Sequence, residues 1–374
     1  MQLSVLKSEL VNVLGKVSSV ITRGPMPILS NVLLTAGEGS LEVVGSDGEI
    51  ELSSSCRADV SFVGTVTVPA RKLFDIARAL PEGNIKLQLR DNNLTLSIET
   101  SRYKLSTLPA ADYPLMASKA QSENGLLGSG AVASFGLQGS ELKDLISKTA
   151  FAMGINDARS YLNGLFLQVT DGKVRFVGTD GHRLAVCDLT SEVSVPETVG
   201  VIIPRKAIGE MGRLFSDGGE VKLSFGSGYI RVDSADASLV ATLIDGKYPD
   251  YQRVIPTGLD GIITADRSEM ISAFSRASIL ANEKYRGVKL SPSKGVLEIE
   301  ATNPDAEVAI DQIDVDFSGE SFEVGFNVTY LIEALKSFGG TSIEIHVRDG
   351  SSSVIMLDPS SSVEHRVVVM PMRL

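Results

Sequence analysis

Residues 178–186, GTDGHRLAV, reveal the domain organisation, because the pattern of their first four residues recurs at two other places in the chain. GTDG at 178–181 corresponds to GSDG at 45–48 and to ATNP at 301–304, and each tetrapeptide follows a run of alternating apolar residues. Alternation of this kind predicts a β-strand, and the Gly, Asp and Asn residues after it favour a turn. A turn between strands is therefore predicted three times in the chain.

Two further landmarks repeat in the same order and open helical patterns. They are KSEL, GSEL and RSEM at 7–10, 139–142 and 267–270, then VPARK, IPRK and FNVTY at 68–72, 203–206 and 326–330. The spacing is 132 residues from Leu10 to Leu142 and 128 from Leu142 to Met270, an ordinary domain length. The repeat predicts three similar domains over residues 1–128, 129–257 and 258–374.

Within each third the pattern predicts a strand, a helix and several strands, followed by the same series again. Six helices and about two dozen short strands define an α+β fold class. Ser8 and Ser140 are predicted to cap the first helices of their thirds. Glycine and proline mark loose junctions at 125–130 and 256–261.

Composition restricts the class of protein. The chain has 374 residues, of which 43% are hydrophobic, so it can bury a large core. It contains no segment with the roughly 20 apolar residues of a membrane span and no recognisable export signal, which predicts a cytoplasmic protein without a membrane partner. Cys56 and Cys187 lie far apart without metal-ligand spacing, so we predict reduced thiols, no metal site and no cofactor.

Charge is distributed unevenly between the predicted helices and the rest of the chain. The six helical segments carry a net charge of +5, so of the total of -11 the remaining residues carry -16. The basic residues are either ordinary solvated helix residues or, if the three domains expose their helices on one side, a pooled phosphate-facing surface. The repeat favours the second interpretation.

Asp180 and His182 raise the question of catalysis, because the chain has only three histidines. The first repeat carries Glu49 where the second has His182, and the third has Asp305 nearby, so the shared element is a structural turn. Neither cysteine stands in a nucleophile or ligand motif. A hydrolase that uses Asp180 and His182 remains an alternative, as does a peptide-binding scaffold unrelated to DNA.

Several strings, in order along the whole chain, carry a family resemblance. They are VPARK, LPEG, LSTLPAADYP, YLNG, TDGHRLAVC, NEKYRGV, GFNV and the terminal VVVMPMRL. On these motifs the chain resembles the bacterial sliding-clamp family, the beta subunits of DNA polymerase III. The resemblance implies three domains of the DNA-clamp fold, each made of two strand-helix-strands repeats, in a head-to-tail homodimer whose helices line a ring with the sheets outside.

The resemblance also implies a non-catalytic processivity factor and its partners. A clamp holds DNA by topology, with weak and sequence-independent contacts to double-stranded DNA. The implied protein partners are replicative and translesion DNA polymerases, the clamp loader, and mismatch-repair and ligase-type clamp-binding proteins.

The implied DNA-contacting residues lie on helices and on loops of the first two thirds. They are Arg23, Arg71, Asn156, Ser160, Tyr161, Arg205 and Lys206. Related clamps often carry two adjacent aromatic residues where this chain has Ser160 and Tyr161, so stacking on DNA is expected to be weaker here.

The implied partner-peptide cleft combines residues of the last two thirds. They are Leu162, Thr179, Gly181, His182, Arg183, Leu184, Pro249, Arg253, Val254, Asn327, Tyr330, Ser353, Val368, Val369, Met370, Pro371 and Met372. Aliphatic and methionine side chains suit varied short peptides. The end of the chain is also predicted to be a buried strand, but Pro371 lacks the N–H that a regular ladder needs, which leaves apolar side chains for a ligand.

The implied dimer contact joins the first third of one subunit to the last third of the other. Residues 101–105 alternate and predict an edge strand, which invites pairing, although an ordinary exposed strand would show the same pattern. The implied contact residues are Lys72, Arg102, Tyr103, Leu105, Ile279, Leu280, Asp305 and Glu307.

Overall fold

The computed structural model describes residues 1–22, 26–117, 132–215, 218–226 and 228–373. Six α-helices lie entirely within these residues: α1 Lys7–Val17, α2 Ala70–Ala79, α3 Gly139–Thr149, α4 Arg205–Leu214, α5 Arg267–Ala277 and α6 Val328–Lys336. With the strands below, they confirm the predicted α+β class. The predicted junction at 125–130 lies outside the described residues, whereas residues 256–260 form an irregular segment before a strand that begins at Gly261.

Twenty-six strands occur in the described part of the chain, most of them four to eight residues long. They are β1 Gln2–Leu6, β2 Asn31–Gly37, β3 Ser40–Ser46, β4 Ile50–Arg57, β5 Asp59–Phe62, β6 Gly64–Pro69, β7 Asn84–Arg90, β8 Asn93–Ile98, β9 Ser101–Ser106, β10 Ala133–Gln138, β11 Gly164–Thr170, β12 Lys173–Thr179, β13 Arg183–Thr190, β14 Val199–Pro204, β15 Glu220–Phe225, β16 Tyr229–Asp233, β17 Ala237–Thr242, β18 Gly261–Asp266, β19 Gly287–Ser293, β20 Val296–Thr302, β21 Val308–Asp314, β22 Asp316–Phe317, β23 Val324–Asn327, β24 Ser342–Val347, β25 Val354–Leu357 and β26 Glu364–Val369.

One compact unit comprises Met1–Leu142 and Gly209–Leu243. It holds a five-stranded sheet, in the order β5-β1-β7-β8-β9, and an eight-stranded sheet, in the order β10-β15-β16-β17-β4-β3-β2-β6. In the larger sheet, β17 of the second third pairs antiparallel with β4 of the first third, from Ala237 opposite Ser54 to Ala241 opposite Ile50. Helix α1 packs its apolar face on this unit's core, as its three- and four-residue spacing predicts.

The other compact unit comprises Lys143–Ile208 and Ile244–Leu374. It holds a nine-stranded sheet, in the order β14-β11-β12-β13-β26-β25-β24-β18-β22, and a four-stranded sheet, in the order β21-β20-β19-β23. Strand β13 of the second third pairs antiparallel with β26 of the last third, from Arg183 opposite Val369 to Asp188 opposite Glu364. Helices α5 and α6 bury apolar side chains in the core of this unit.

The first helix of each third begins in the same way, and the prediction that Ser8 and Ser140 cap these helices is wrong. Both serines lie inside the first helical turn, since α1 begins at Lys7 and α3 at Gly139. The first backbone N–H of each helix donates instead to a loop carbonyl of the same third. The three bonds run from Lys7 to Gly83 (2.9 Å), from Gly139 to Gly219 (2.7 Å) and from Arg267 to Thr341 (2.7 Å). These carbonyls satisfy a donor that a cap side chain would otherwise serve; in the third copy Asp266 also caps α5, accepting from the Glu269 N–H.

The three predicted turns are present, and in each an Asp or Asn side chain accepts from two backbone N–H groups that follow it. In the first, the Asp47 carboxylate accepts from the N–H groups of Glu49 and Ile50, at 2.8 Å each. In the second, Asp180 accepts in the same way from His182 and Arg183, at 2.9 and 3.1 Å. In the third, the Asn303 side chain accepts from Asp305 and Glu307, at 3.1 and 3.0 Å. Asx side chains therefore build all three turns, which confirms that the element is structural.

Candidate functional site

The side chain of Arg183 anchors the turn that follows β12. Its guanidinium donates to the Asp180 carboxylate (3.0 Å), to the Phe151 carbonyl (2.7 Å) and to the Glu333 carboxylate. The group also lies over the ring of Tyr330, 4.4 Å from the ring centroid. Arg183 is 7% exposed, so its charge is compensated almost entirely by these partners rather than by water.

These contacts leave Asp180 and His182 unsuited to act together. One Asp180 oxygen accepts from two backbone N–H groups and the other accepts from Arg183, while the exposed His182 ring stacks on Tyr330 with centroids 6.4 Å apart. Both cysteines are buried, which raises the pKa of Cys56 to about 11 and that of Cys187 to about 12. Each thiol is therefore held in its protonated, weakly nucleophilic form.

An apolar cleft of about 130 Å³ opens beside this turn. It is lined by Arg159, Tyr161, Leu162, Thr179, Gly181, Arg183, Leu184, Pro249, Asp250, Tyr251, Val254, Val368 and Met370. Glycine is favoured at position 181, because its φ is +88°, a conformation that residues with a side chain rarely adopt. The structure therefore brings together nine of the residues that the resemblance implied for the partner cleft.

A cluster of packed aromatic residues adjoins the cleft and shares Leu184, Tyr251 and Val368 with its lining. The rings of Phe166 and Tyr248 stack with centroids 4.7 Å apart, and the Tyr248 hydroxyl donates to the Val177 carbonyl at 3.2 Å. The Tyr251 hydroxyl donates to the Gln168 side chain (2.8 Å) and accepts from Arg175 (3.1 Å). Since Tyr251 lines the cleft, these bonds hold one part of its wall in place.

The remaining residues implied for the cleft lie in the same compact unit but outside its lining. His182 and Arg253 are exposed, and Arg253 pairs with Asp250 at 2.8 Å. Val369 is 0% exposed and belongs to the core. The others outside the lining are Asn327, which caps α6, and Tyr330, Ser353, Pro371 and Met372, all of them partly buried.

The sequence interpretation did not assign Arg159, Asp250 and Tyr251 to the cleft, and it assigned Tyr161 to DNA contact alone. Asp250 and Tyr251 follow Pro249 directly, so their proximity was a usable signal. Arg159 is held by Asp157, whose two oxygens accept from its guanidinium at 3.0 and 2.9 Å. These bonds lower the pKa of Asp157 to about 2. No sequence pattern distinguished Arg159 from other loop cations.

The residues implied for DNA contact are placed in different ways. Arg23 lies outside the described residues. Arg71, Asn156, Ser160 and Lys206 are exposed, and Tyr161 is half-buried against the cleft cluster.

Arg205 donates to the carbonyls of Met153 (2.8 Å) and Gly154 (3.3 Å), and burial lowers the pKa of its guanidinium. The Nε and Nη2 groups of Arg205 therefore hold the loop that leads to Asn156.

Several basic side chains that contribute to the net positive charge of the helices form ion pairs with carboxylates. Lys16 contacts Asp236, Lys148 contacts Asp144 at 3.4 Å, and Arg276 contacts Asp311 at 2.5 Å. Arg213 binds Glu210 at 2.7 Å and donates to the Lys16 carbonyl at 2.6 Å. The helices thus expose less unpaired positive charge than their composition suggests.

The residues implied for the dimer lie on two open sheet edges and beside them. Strand β9, with Arg102 and Tyr103 exposed, is an edge of the five-stranded sheet, and β21 is an edge of the four-stranded sheet. Leu105 is only 8% exposed, whereas Ile279 is 77% exposed. Lys72, Asp305 and Glu307 are exposed, and Leu280 is half-buried.

The described residues contain neither a membrane-spanning helix nor a cluster of metal-binding side chains. No helix there is long and apolar enough to cross a membrane. Within those same residues no three His, Cys, Asp or Glu side chains are arranged to hold a metal ion.

Comparison with known proteins places the whole chain. It matches three domain families of the DNA polymerase III beta subunit: the N-terminal domain over residues 1–117, the central domain over 136–250 and the C-terminal domain over 252–373. The beta sliding clamps of Pseudomonas aeruginosa and Escherichia coli K12 are each 39% identical to it, over 378 and 383 residues, with 100% of both chains covered. The crystal structure of the P. aeruginosa DNA polymerase III subunit beta superposes with a TM-score of 0.95 at 38% identity, again over 100% of both chains. Since these matches extend along its full length, the chain belongs to the family of bacterial DNA polymerase III beta subunits, the sliding clamps.

Proposed function

We propose that two copies of this chain associate head to tail into a ring that encircles double-stranded DNA and keeps the replicative polymerase on its template. Family membership makes the chain a non-catalytic processivity subunit, which overturns the hydrolase alternative. The predicted domains over 1–128, 129–257 and 258–374 each contain most of one family match, although the last match begins at residue 252. Those limits remain a prediction.

The single observation that carries the ring proposal is a strand joint that occurs twice within the chain. The last strand of the second third, β17, pairs with β4 of the first third. In the same way the last strand of the last third, β26, pairs with β13 of the second third. By position in the repeat, β9 corresponds to β17 and β26, while β21 corresponds to β4 and β13. Both β9 and β21 are sheet edges, so the repeat predicts a third joint, between β9 of one copy and β21 of another.

Apolar side chains on both edges support this third joint. Tyr103 on β9 is 41% exposed, and Val308 and Ile310 on β21 are 50% and 62% exposed. Lys72 and Arg102 would meet Asp305 and Glu307, giving complementary charge at the rim of the contact. A contact between different surfaces closes into a ring if its rotation closes, and here six repeats from two copies would complete it.

The cleft is the proposed docking site for the proteins that act on DNA with the clamp. It offers apolar side chains and Met370, and Arg159 and Asp250 at its rim provide polar groups that can orient a short peptide. The proposed partners are replicative and translesion polymerases, the clamp loader, and mismatch-repair and ligase-type proteins, all in the cytoplasm. DNA itself is held by weak contacts to phosphate and by enclosure.

The ring proposal predicts retention that depends on DNA topology. Protein loaded on a nicked circular plasmid should remain bound through gel filtration and should be lost when the plasmid is linearised. Ile310→Asp places an unpaired charge in the proposed joint, so native mass measurement should give a monomer and retention should disappear from the circle as well. Equal retention of the wild-type protein on circular and linear DNA would exclude enclosure.

The cleft proposal predicts that a charge placed on its wall weakens peptide docking. Val254 lines the cleft and is 37% exposed, so Val254→Glu should lower the affinity for the clamp-binding segment of the replicative polymerase about ten- to hundredfold, from a cost of about 1–3 kcal/mol. Fluorescence anisotropy of the labelled peptide measures this loss. Val63→Glu, at a position that is 65% exposed and far from the cleft in sequence, is the matched control and should bind normally. An unaltered affinity in Val254→Glu would remove the cleft from the docking surface.

A further inference from the structure

The loop that follows the first helix occupies the same place in each third. It leads from α1 to β2 at Asn31, from α3 to β11 at Gly164 and from α5 to β19 at Gly287. In the last third this loop carries EKYR at 283–286, an exposed run in which one basic residue lies on each side of a tyrosine. None of the DNA-contact or cleft residues considered above lies in this run.

The backbone of this loop is held rigidly. The Asn282 side chain accepts from the N–H groups of Lys284 (2.9 Å) and Tyr285 (3.0 Å), and the Asn282 carbonyl accepts from the Arg286 N–H at 2.8 Å. The Arg286 carbonyl accepts from the N–H of Val328, the first residue of α6, at 2.8 Å. Arg286 itself has a φ of +50°, which is an uncommon conformation for a residue with a side chain. The three side chains are therefore presented from a fixed support.

Those side chains are open to solvent, and the run 283–286 carries a net positive charge although it includes the Glu283 carboxylate. Tyr285 is 56% exposed, and the Lys284 ammonium lies 5.1 Å from the centroid of its ring. Neither Lys284 nor Arg286 forms a salt bridge with any residue that the structure describes. Their neighbours on the flanking elements differ, since Arg276 binds Asp311 at 2.5 Å and Lys289 binds Glu300 at 2.6 Å.

We propose that Lys284, Tyr285 and Arg286 form a contact site for the sugar-phosphate backbone of duplex DNA in the last third of the chain. The inference rests on the proposed function and adds residues to it. Two unpaired cations provide the charge that phosphates bind, and the ring between them offers a flat apolar face for the sugar. The loop carries no arrangement for bidentate contact with a base edge, so it suits a sequence-independent contact that lets a ring move along DNA.

The salt dependence of DNA binding tests this site. A fluorescein-labelled primed duplex is titrated with the full-length protein at several NaCl concentrations between 50 and 250 mM. The slope of log Kobs against log salt is negative, and its magnitude decreases by about 0.9 for each phosphate contact that is lost. Lys284→Ala combined with Arg286→Asn should therefore reduce the slope by about 1 to 2, because asparagine tolerates the positive φ at position 286. Tyr285→Ser should weaken binding at every salt concentration about equally, by severalfold, without changing the slope.

A matched control and a second readout separate this inference from the ring proposal. Lys294→Ala removes an exposed cation from the β19–β20 hairpin of the same third, and its slope should equal that of the wild type. All the variants should still be retained on nicked circular plasmid, because enclosure does not depend on the loop. A wild-type slope in the Lys284→Ala, Arg286→Asn protein, or an equal fall in Lys294→Ala, would overturn the loop site alone. Absence of retention in the wild-type protein would overturn the ring proposal, and the loop site with it.

Discussion

Replacement of Arg183 by alanine is expected to lower the free energy of unfolding of its compact unit by about 3–5 kcal/mol, which is the usual cost of removing one partner from a buried charge network. The guanidinium is the common partner of Asp180, Glu333 and the Phe151 carbonyl, and the Asp180 side chain is only 16% exposed. Truncation would leave Asp180 and the Phe151 carbonyl partly desolvated without their donor. Equilibrium unfolding in urea, followed by circular dichroism, measures the change.

Arg253→Ala is the matched control for that measurement. Arg253 also pairs with an aspartate three residues away, at 2.8 Å, but its side chain is 85% exposed. Exposed pairs contribute about 0–1 kcal/mol, so this variant should unfold near the wild-type urea concentration. A loss below about 1 kcal/mol for Arg183→Ala would contradict the structural role assigned to Arg183. The expected instability also means that a loss of polymerase stimulation in Arg183→Ala would not by itself test the cleft, and that Val254→Glu is the sharper probe.

Mild acid is expected to destabilise the protein through His365. This residue is 5% exposed, and burial lowers the pKa of its imidazole to about 4. The Lys148 carbonyl lies 2.9 Å from its Nε2, so Nε2 carries the proton, and Nδ1 has no partner among the described residues. The ring packs on Phe338 with centroids 4.5 Å apart, while Lys148 and Asp358 are the charged groups that act on it.

The sign of the effect follows from the lowered pKa. Between pH 6.5 and pH 4 the unfolded chain binds a proton at this position and the folded chain does not, so the free energy of unfolding falls as the pH is lowered through this window. It is unaffected by His365 above pH 6.5. The His365 contribution should reduce stability by about 2 kcal/mol between pH 7.5 and pH 5.

Urea unfolding of His365→Gln at the two pH values isolates this contribution from that of the carboxylates. The variant should lose about 2 kcal/mol less than the wild type on going from pH 7.5 to pH 5. The difference in the free energy of unfolding between the two proteins at pH 7.5 provides the control, because it measures any loss of packing and can be subtracted from the difference at pH 5. Equal pH dependence in His365→Gln and the wild-type protein would show that the His365 imidazole titrates alike in both states.

Local patterns in the sequence were sufficient for the element types and for the repeat. Alternation and three- to four-residue spacing depend on contacts within one strand or helix, and the Asp47, Asp180 and Asn303 side chains each accept from backbone N–H groups that follow closely in the chain. The Ser8 and Ser140 caps were predicted wrongly because the acceptors that serve these helix starts come from loops about 75 to 80 residues away. No local pattern contains that information.

The candidate cleft could likewise be predicted only in part from the sequence. Its thirteen lining residues lie in four short segments, 159–162, 179–184, 249–254 and 368–370, and the family resemblance named nine of them. Arg159 and Tyr161 come from a loop whose path is fixed by the Asp157 and Asn163 side chains, and neither the repeat nor the alternation marks these bonds in the sequence. Likewise, the inward orientation of Arg205 depends on carbonyls at 153 and 154 that no charge count reveals.

The three helix starts held by main-chain carbonyls have a consequence for how this protein can change over generations. Any residue except proline has the backbone N–H that such a bond needs, so Lys7 and Arg267 can differ while the geometry stays the same. Gly139 is the exception, because a Cβ there would overlap the Phe215 carbonyl oxygen. Duplicated segments built in this way are free to diverge in side-chain identity and still superpose. Their common ancestry then remains visible in the positions of turns and helix starts after their sequence identity has been lost.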